Sequence, residues 1–82
     1  MVKTLYVGNI AWGTSEEDLQ KAFAEHGEVI GCRIITERAT GRSRGYGFVE
    51  INDTDQEQMI EKMNGVELDG RRLVVNEAKP RD

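Results

Sequence analysis

From its N-terminus the chain alternates. Leu5 and Val7 fall on one side and Thr4 and Tyr6 on the other, the period of a half-buried strand over Thr4–Gly8. A loop follows, Asn9 to Gly13. The period then changes: Leu19, Ala22, Phe23 and His26 recur at helical spacing, which predicts a helix over Ser15–His26. Thr14 with Glu17 is the expected capping box, and Gly27 the expected stop. Val29–Thr36 is rich in β-branched residues and predicts a strand with Cys32 and Ile34 on one face. Glu37–Ser43 is polar around Gly41 and reads as a loop, and Arg44–Ile51 alternates again as a strand. Asn52 and Asp53 offer caps to a second helix carrying Met59, Ile60 and Met63, which Asn64-Gly65 closes. A short extended piece, a turn at Asp69-Gly70 and a last strand over Arg72–Glu77 complete the series, and Pro80 marks the exit.

The order is therefore β-α-β-β-α-β, the split βαβ arrangement of ferredoxin-like α+β folds. Right-handed crossovers place both helices on one face of a four-stranded antiparallel sheet and leave the other face open. With 82 residues, one domain over 1–82 is expected, its core at about 3–79. A chain this short fills two layers and encloses no deep cavity.

Composition narrows the function classes. One cysteine, Cys32, and one histidine, His26, exclude an internal disulfide and a C-x-x-C site and argue against zinc, so neither metal nor cofactor is expected. No apolar run approaches the roughly 20 residues of a membrane helix, and no secretory pattern follows Lys3. An intracellular monomer is expected, its compartment open. The net charge of −4 argues against indiscriminate binding to nucleic acid. The charge is uneven, however. Glu16, Glu17, Asp18 and Glu25 lie in the first helical segment, and Asp53, Asp55, Glu57 and Glu61 in or beside the second. The arginines lie mostly elsewhere, so the side away from the helices is expected to be locally basic.

The open face carries the chemistry. In the third strand Gly45, Gly47, Val49 and Ile51 point to the helices, which turns Arg44, Tyr46, Phe48 and Glu50 outward; Tyr6 points outward from the first strand. Three aromatics and an arginine on an uncovered sheet suit unpaired bases, which stack on aromatic planes, and phosphates, which pair with guanidinium groups.

Arg44–Ile51, RGYGFVEI, resembles the octamer of RNA-recognition motifs at every defined position but the last, where Ile51 replaces an aromatic. Leu5–Ile10, LYVGNI, resembles the companion hexamer. The likeness runs from about Lys3 to Lys79, and IAWGTSEEDL and LDGRRLVVNEAKPR are similar to glycine-rich, chloroplast, bacterial and nucleolin-like members of the family. No glycine-rich tail is among these residues, which leaves an excised domain or a tailless protein. The resemblance implies single-stranded RNA binding in RNA processing, stability or translation control. It implies that Tyr6 stacks one base and Tyr46 or Phe48 a neighbouring base or ribose, and that Arg44 pairs with phosphate. Arg38 and Arg42 in the 37–45 loop would close over the RNA. Asn76, Ala78 and Lys79 would make contacts at the end of the last strand, and Asn9 would meet a base or the loop.

Blander readings stand beside these. Tyr46 and Phe48 also serve as cross-strand partners of Tyr6; the glycines of the octamer also let the helices pack close. Trp12 reads better as a loop anchor packed at the end of the first helix than as a stacking platform, and Cys32 as a core residue. Single-stranded DNA is a second expected ligand, because stacking ignores the sugar. The acidic helix face is an alternative docking surface for a protein. Catalysis of the acylphosphatase type is not expected, because the NIAWGTS loop has no basic residue to hold an anion.

Overall fold

The computed structural model describes residues 2–41 and 43–78. The elements are β1 (Val2–Gly8), α1 (Glu16–Ala24), β2 (Val29–Thr36), β3 (Ser43–Asn52), a single 3-10 turn (Asp53–Asp55), α2 (Gln56–Met63), β4 (Glu67–Leu68), β5 (Arg71–Arg72) and β6 (Val74–Glu77). Four strands form an antiparallel sheet in the order β2-β3-β1-β6, and β4 and β5 form a separate small hairpin. Leu5, Val7, Val49, Ile51 and Val75 join Leu19 and Phe23 of α1 and Met59 and Met63 of α2 in one buried cluster. Both helices thus cover the same face of the sheet, as the α+β reading requires. No described helix is long and apolar enough to cross a membrane.

Several local expectations are corrected. The capping box of α1 uses Ser15 and Asp18, not Thr14 and Glu17. The Ser15 hydroxyl accepts from the Asp18 amide at 3.0 Å, and the Asp18 carboxylate accepts from the Ser15 amide at 3.4 Å. Thr14 is committed elsewhere: its hydroxyl donates to Asp69 Oδ2 at 2.6 Å and ties the helix entry to the β4–β5 turn. The helix ends at Ala24 with Glu25 as its right-handed cap, so Gly27 is not the stop. Gly27 supplies space instead, because a Cβ there would stand 3.0 Å from Met59 Cε. No side chain caps α2; Asn52 and Asp53 lead into the 3-10 turn before it. The expected last strand is split because Leu73, buried, exchanges backbone hydrogen bonds with residues 65 and 66. Asn64 Oδ1 accepts from the Val75 amide at 3.1 Å, so the end of α2 is tied to β6.

The glycines of β3 have a different task from the one expected. A Cβ at Gly47 would lie 2.3 Å from the Arg33 carbonyl oxygen and 3.0 Å from Ile34 Cα. The close approach is between β3 and its neighbour β2, not between β3 and a helix. Gly45 has φ of +85°, and its carbonyl accepts from the Ile10 amide at 2.8 Å. The register between Ile34↔Gly47 and Thr36↔Ser43 places extra residues in β3. Gly45 thus makes a bulge that only a residue at ease with positive φ supplies. The Glu16 carboxylate accepts from the Ile34 amide at 2.8 Å and pins β2 beside that bulge.

Candidate nucleic-acid interface

The strand registers lay the uncovered face out in rows. Tyr6 stands between Asn76 and Phe48, and Phe48 between Tyr6 and Arg33. Gly8 stands between Val74 and Tyr46 in the next row, and Thr4 and Gly31 flank Glu50 in the row on the other side. The three aromatics form one group. Ring centroids are 6.1 Å apart for Tyr6–Tyr46, 6.2 Å for Tyr6–Phe48 and 6.3 Å for Tyr46–Phe48. The interplanar angles, 33°, 63° and 85°, make a tilted and two edge-on pairs, the arrangements that ring quadrupoles favour. Each ring is half-buried against its neighbours, with no helix above it.

Gly8 shapes this group. A Cβ there would lie 2.8 Å from Tyr6 Oη and 3.0 Å from Tyr6 Cε1. The Tyr6 ring therefore lies along its own strand, over Gly8 and toward Tyr46, which is opposite Gly8 in β3.

The remaining expected residues divide. Asn76 is exposed in the central row, and the Ala78 amide donates to the Thr4 carbonyl at 3.0 Å at the edge of the face. Arg38 is exposed in the loop after β2. Arg44 is placed by its backbone alone, in β3. Arg42 and Lys79 lie outside the described residues. Asn9 turns to the small hairpin: its Nδ2 donates to the Arg72 carbonyl at 2.7 Å, and its Oδ1 accepts from Arg71 Nε at 3.1 Å and Nη2 at 2.6 Å. Its φ of 58° is a backbone state that asparagine tolerates. Trp12 is 69% exposed, so it is not packed down as an anchor.

Three further residues lie on this face that the sequence pattern does not mark for binding. Arg33 is opposite Phe48, Glu50 is beside it, and Val74, 43% exposed, is opposite Gly8. The alternation of β2 carries the signal for Arg33, since Cys32 and Ile34 facing inward turn it outward. Cys32 itself packs against the core, and its thiol donates to the Glu16 carbonyl at 3.5 Å. Burial, helped by the nearby Glu16 charge, pushes the Cys32 thiol from 9.0 up to about 11.

Residues 5–74 match the family model of the RNA recognition motif. The chain belongs to the RNA recognition motif family. It is similar to glycine-rich RNA-binding protein 8 of Arabidopsis thaliana, 52% identical over 77 residues, covering 93% of this chain and 46% of that protein. A glycine-rich, abscisic acid-inducible RNA-binding protein of Zea mays is 51% identical over 77 residues, covering 93% and 49%. The chain thus spans about half the length of these plant relatives. Among solved structures, RNA binding protein PG1 superposes with a TM-score of 0.88 at 43% identity, covering 98% of each chain. The Sxl-lethal protein in its RNA complex superposes with a TM-score of 0.90 at 29% identity, covering all of this chain and 50% of that one. As an RNA recognition motif, this chain has both of the family's sequence blocks on its two central strands, and their aromatics meet on the uncovered face.

Proposed function

We propose that this chain binds single-stranded RNA across the open face of the sheet, with Tyr6 and Phe48 stacking bases and Tyr46 filling the space between their riboses. The observation that carries the reading is the group of three rings within 6.3 Å of one another on the face no helix covers. Arg44 and the loop arginines Arg38 and Arg42 supply phosphate contacts, and Asn76, Ala78 and Lys79 border the last strand's side. Asn9 acts here as a brace between β1 and the hairpin, since both ends of its amide are engaged. Stacking contributes roughly 1–3 kcal/mol per base, so two stacked bases give modest affinity. If Arg38, Arg42, Arg44 and Lys79 all lie near phosphates, the salt slope is roughly −3. A role in RNA processing, stability or translation control inside the cell is in keeping with RNA binding on this face, and single-stranded DNA is a weaker ligand of the same face.

A second reading places a protein on the helix side. There a cleft between α1 and β4 is lined by Asp18, Glu25, Glu67 and Asp69 around Lys21 and His26. NMR titration with short single-stranded RNA pools tests the first reading. Shifts are expected at Tyr6, Tyr46, Phe48 and residues 37–45, and are expected to vanish in a folded Tyr46→Ala/Phe48→Ala variant. Absence of shifts at low salt and high RNA concentration counts against it. A protein partner on the helices is expected to bind without competing with RNA.

A further inference from the structure

We infer that Glu50 makes this face selective for guanine at the base stacked on Phe48. The inference rests on the RNA-binding reading above. Its first ground is position. Glu50 is two residues beyond Phe48 on the same strand, so both point to the open face. Its cross-strand neighbours are Thr4 and Gly31, both short. Beyond the Phe48 ring the sheet therefore sinks into a shallow depression lined by Thr4, Gly31, Arg33, Phe48 and Glu50.

The second ground is the carboxylate itself. It lies over Gly31, where a Cβ would stand 3.0 Å from Glu50 Oε1. It is exposed, and among the described residues no hydrogen bond or ion pair engages it. A lone carboxylate on a phosphate-binding face repels the ligand unless it meets a donor. An ionised carboxylate only accepts. Guanine alone of the four bases presents two adjacent donors on its Watson–Crick edge, N1–H and the N2 amine, which match the two carboxylate oxygens. Cytosine and adenine offer one amine beside an acceptor nitrogen, and uracil offers N3–H between two carbonyls. Unpaired bases are read on these edges while they stack. Arg33, across from Phe48, is placed to hold the phosphate of the same nucleotide.

The test uses fluorescence anisotropy with a uridine octamer and the same octamer carrying one central guanosine, inosine or adenosine. Wild type is expected to bind the guanosine octamer roughly ten-fold more tightly than octauridine. Inosine, which keeps N1–H and lacks the amine, is expected to fall between. Glu50→Gln is expected to erase the preference while octauridine binds equally or more tightly, a pattern that loss of structure does not produce. Equal binding of the guanosine and uridine octamers by wild type overturns the inference, as does a preference that survives in E50Q. If no octamer binds wild type and Tyr6→Ala changes nothing, the RNA-binding reading falls and the inference falls with it. If Tyr6→Ala weakens every octamer while E50Q weakens all of them alike, only the inference falls.

Discussion

The two faces of this sheet are made from the same strands and do opposite things. On one face Leu5, Val7, Val49, Ile51 and Val75 are sealed under two helices, each with no exposed surface. On the other, Tyr6, Tyr46 and Phe48 group together with no helix above them and stay half-open. Strand alternation interleaves the two sets residue by residue. Stability and the proposed RNA binding thereby fall on neighbouring positions with little shared packing. Substitutions on the sealed face should unfold the protein, and substitutions on the open face should free the RNA.

The largest effect expected is Phe23→Ala, which removes the bulkiest fully buried side chain. It should cost about 3–5 kcal/mol in urea unfolding, a large part of the stability of a small domain. A cost under 1 kcal/mol would break the comparison at its sealed side. Gly47→Ala is next. It adds a methyl on the sealed face, yet its clash is with the Arg33 carbonyl, so β2 and β3 must separate. A loss of about 1–3 kcal/mol is expected, with amide exchange accelerated in β2 and β3 before the helices. Phe48→Ala should act the other way. RNA affinity should fall by about 1–3 kcal/mol, while the urea midpoint moves less than for either sealed-face variant. Gly8→Ala sharpens the comparison within the open face. The methyl displaces the Tyr6 ring, and RNA binding should weaken several-fold with Tyr6 still present. An unchanged affinity would show that the position of the ring over Gly8 is not used. The smallest effect concerns Cys32. The folded thiol keeps its proton to about 11 and the unfolded chain releases it near 9.0. Its contribution to stability is complete below pH 9 and is lost as the pH rises toward 11. Cys32→Ser should flatten that part of the stability profile, and alkylation of native Cys32 should be slow at neutral pH.

The element order, the sheet, the shared helix face and the outward aromatics were legible in the sequence because each rests on periodicity. Alternation separates Tyr6 from Leu5 and Phe48 from Val49, and helical spacing marks Leu19, Phe23, Met59 and Met63. What stayed hidden depends on contacts between distant segments. Thr14 looks like a cap until Asp69, on a turn near the other end of the chain, takes its hydroxyl. Asn9, expected to meet a base or the loop, is held at both ends of its amide by Arg71 and Arg72, contacts more than 60 residues away that no local pattern shows. Gly47 looks like space for a helix until the register sets the Arg33 carbonyl beside it. The depression at Glu50 needs three strands in register at once, and its two short walls come from β1 and β2.

The strand order also sets a timetable for the molecule's birth. Of the strands of this sheet β1 is synthesised before the others, but it occupies the interior, between β3 and β6. Leu5 pairs with Glu77, so one edge of β1 waits until residue 77 has been translated. Pairings this distant in sequence form slowly, and an unpaired strand edge is a template for other chains. A ribosome that pauses before Val74 thus holds a nascent chain whose central strand has one vacant edge. The last strand of the sheet, Val74–Glu77, ends that exposure as it emerges.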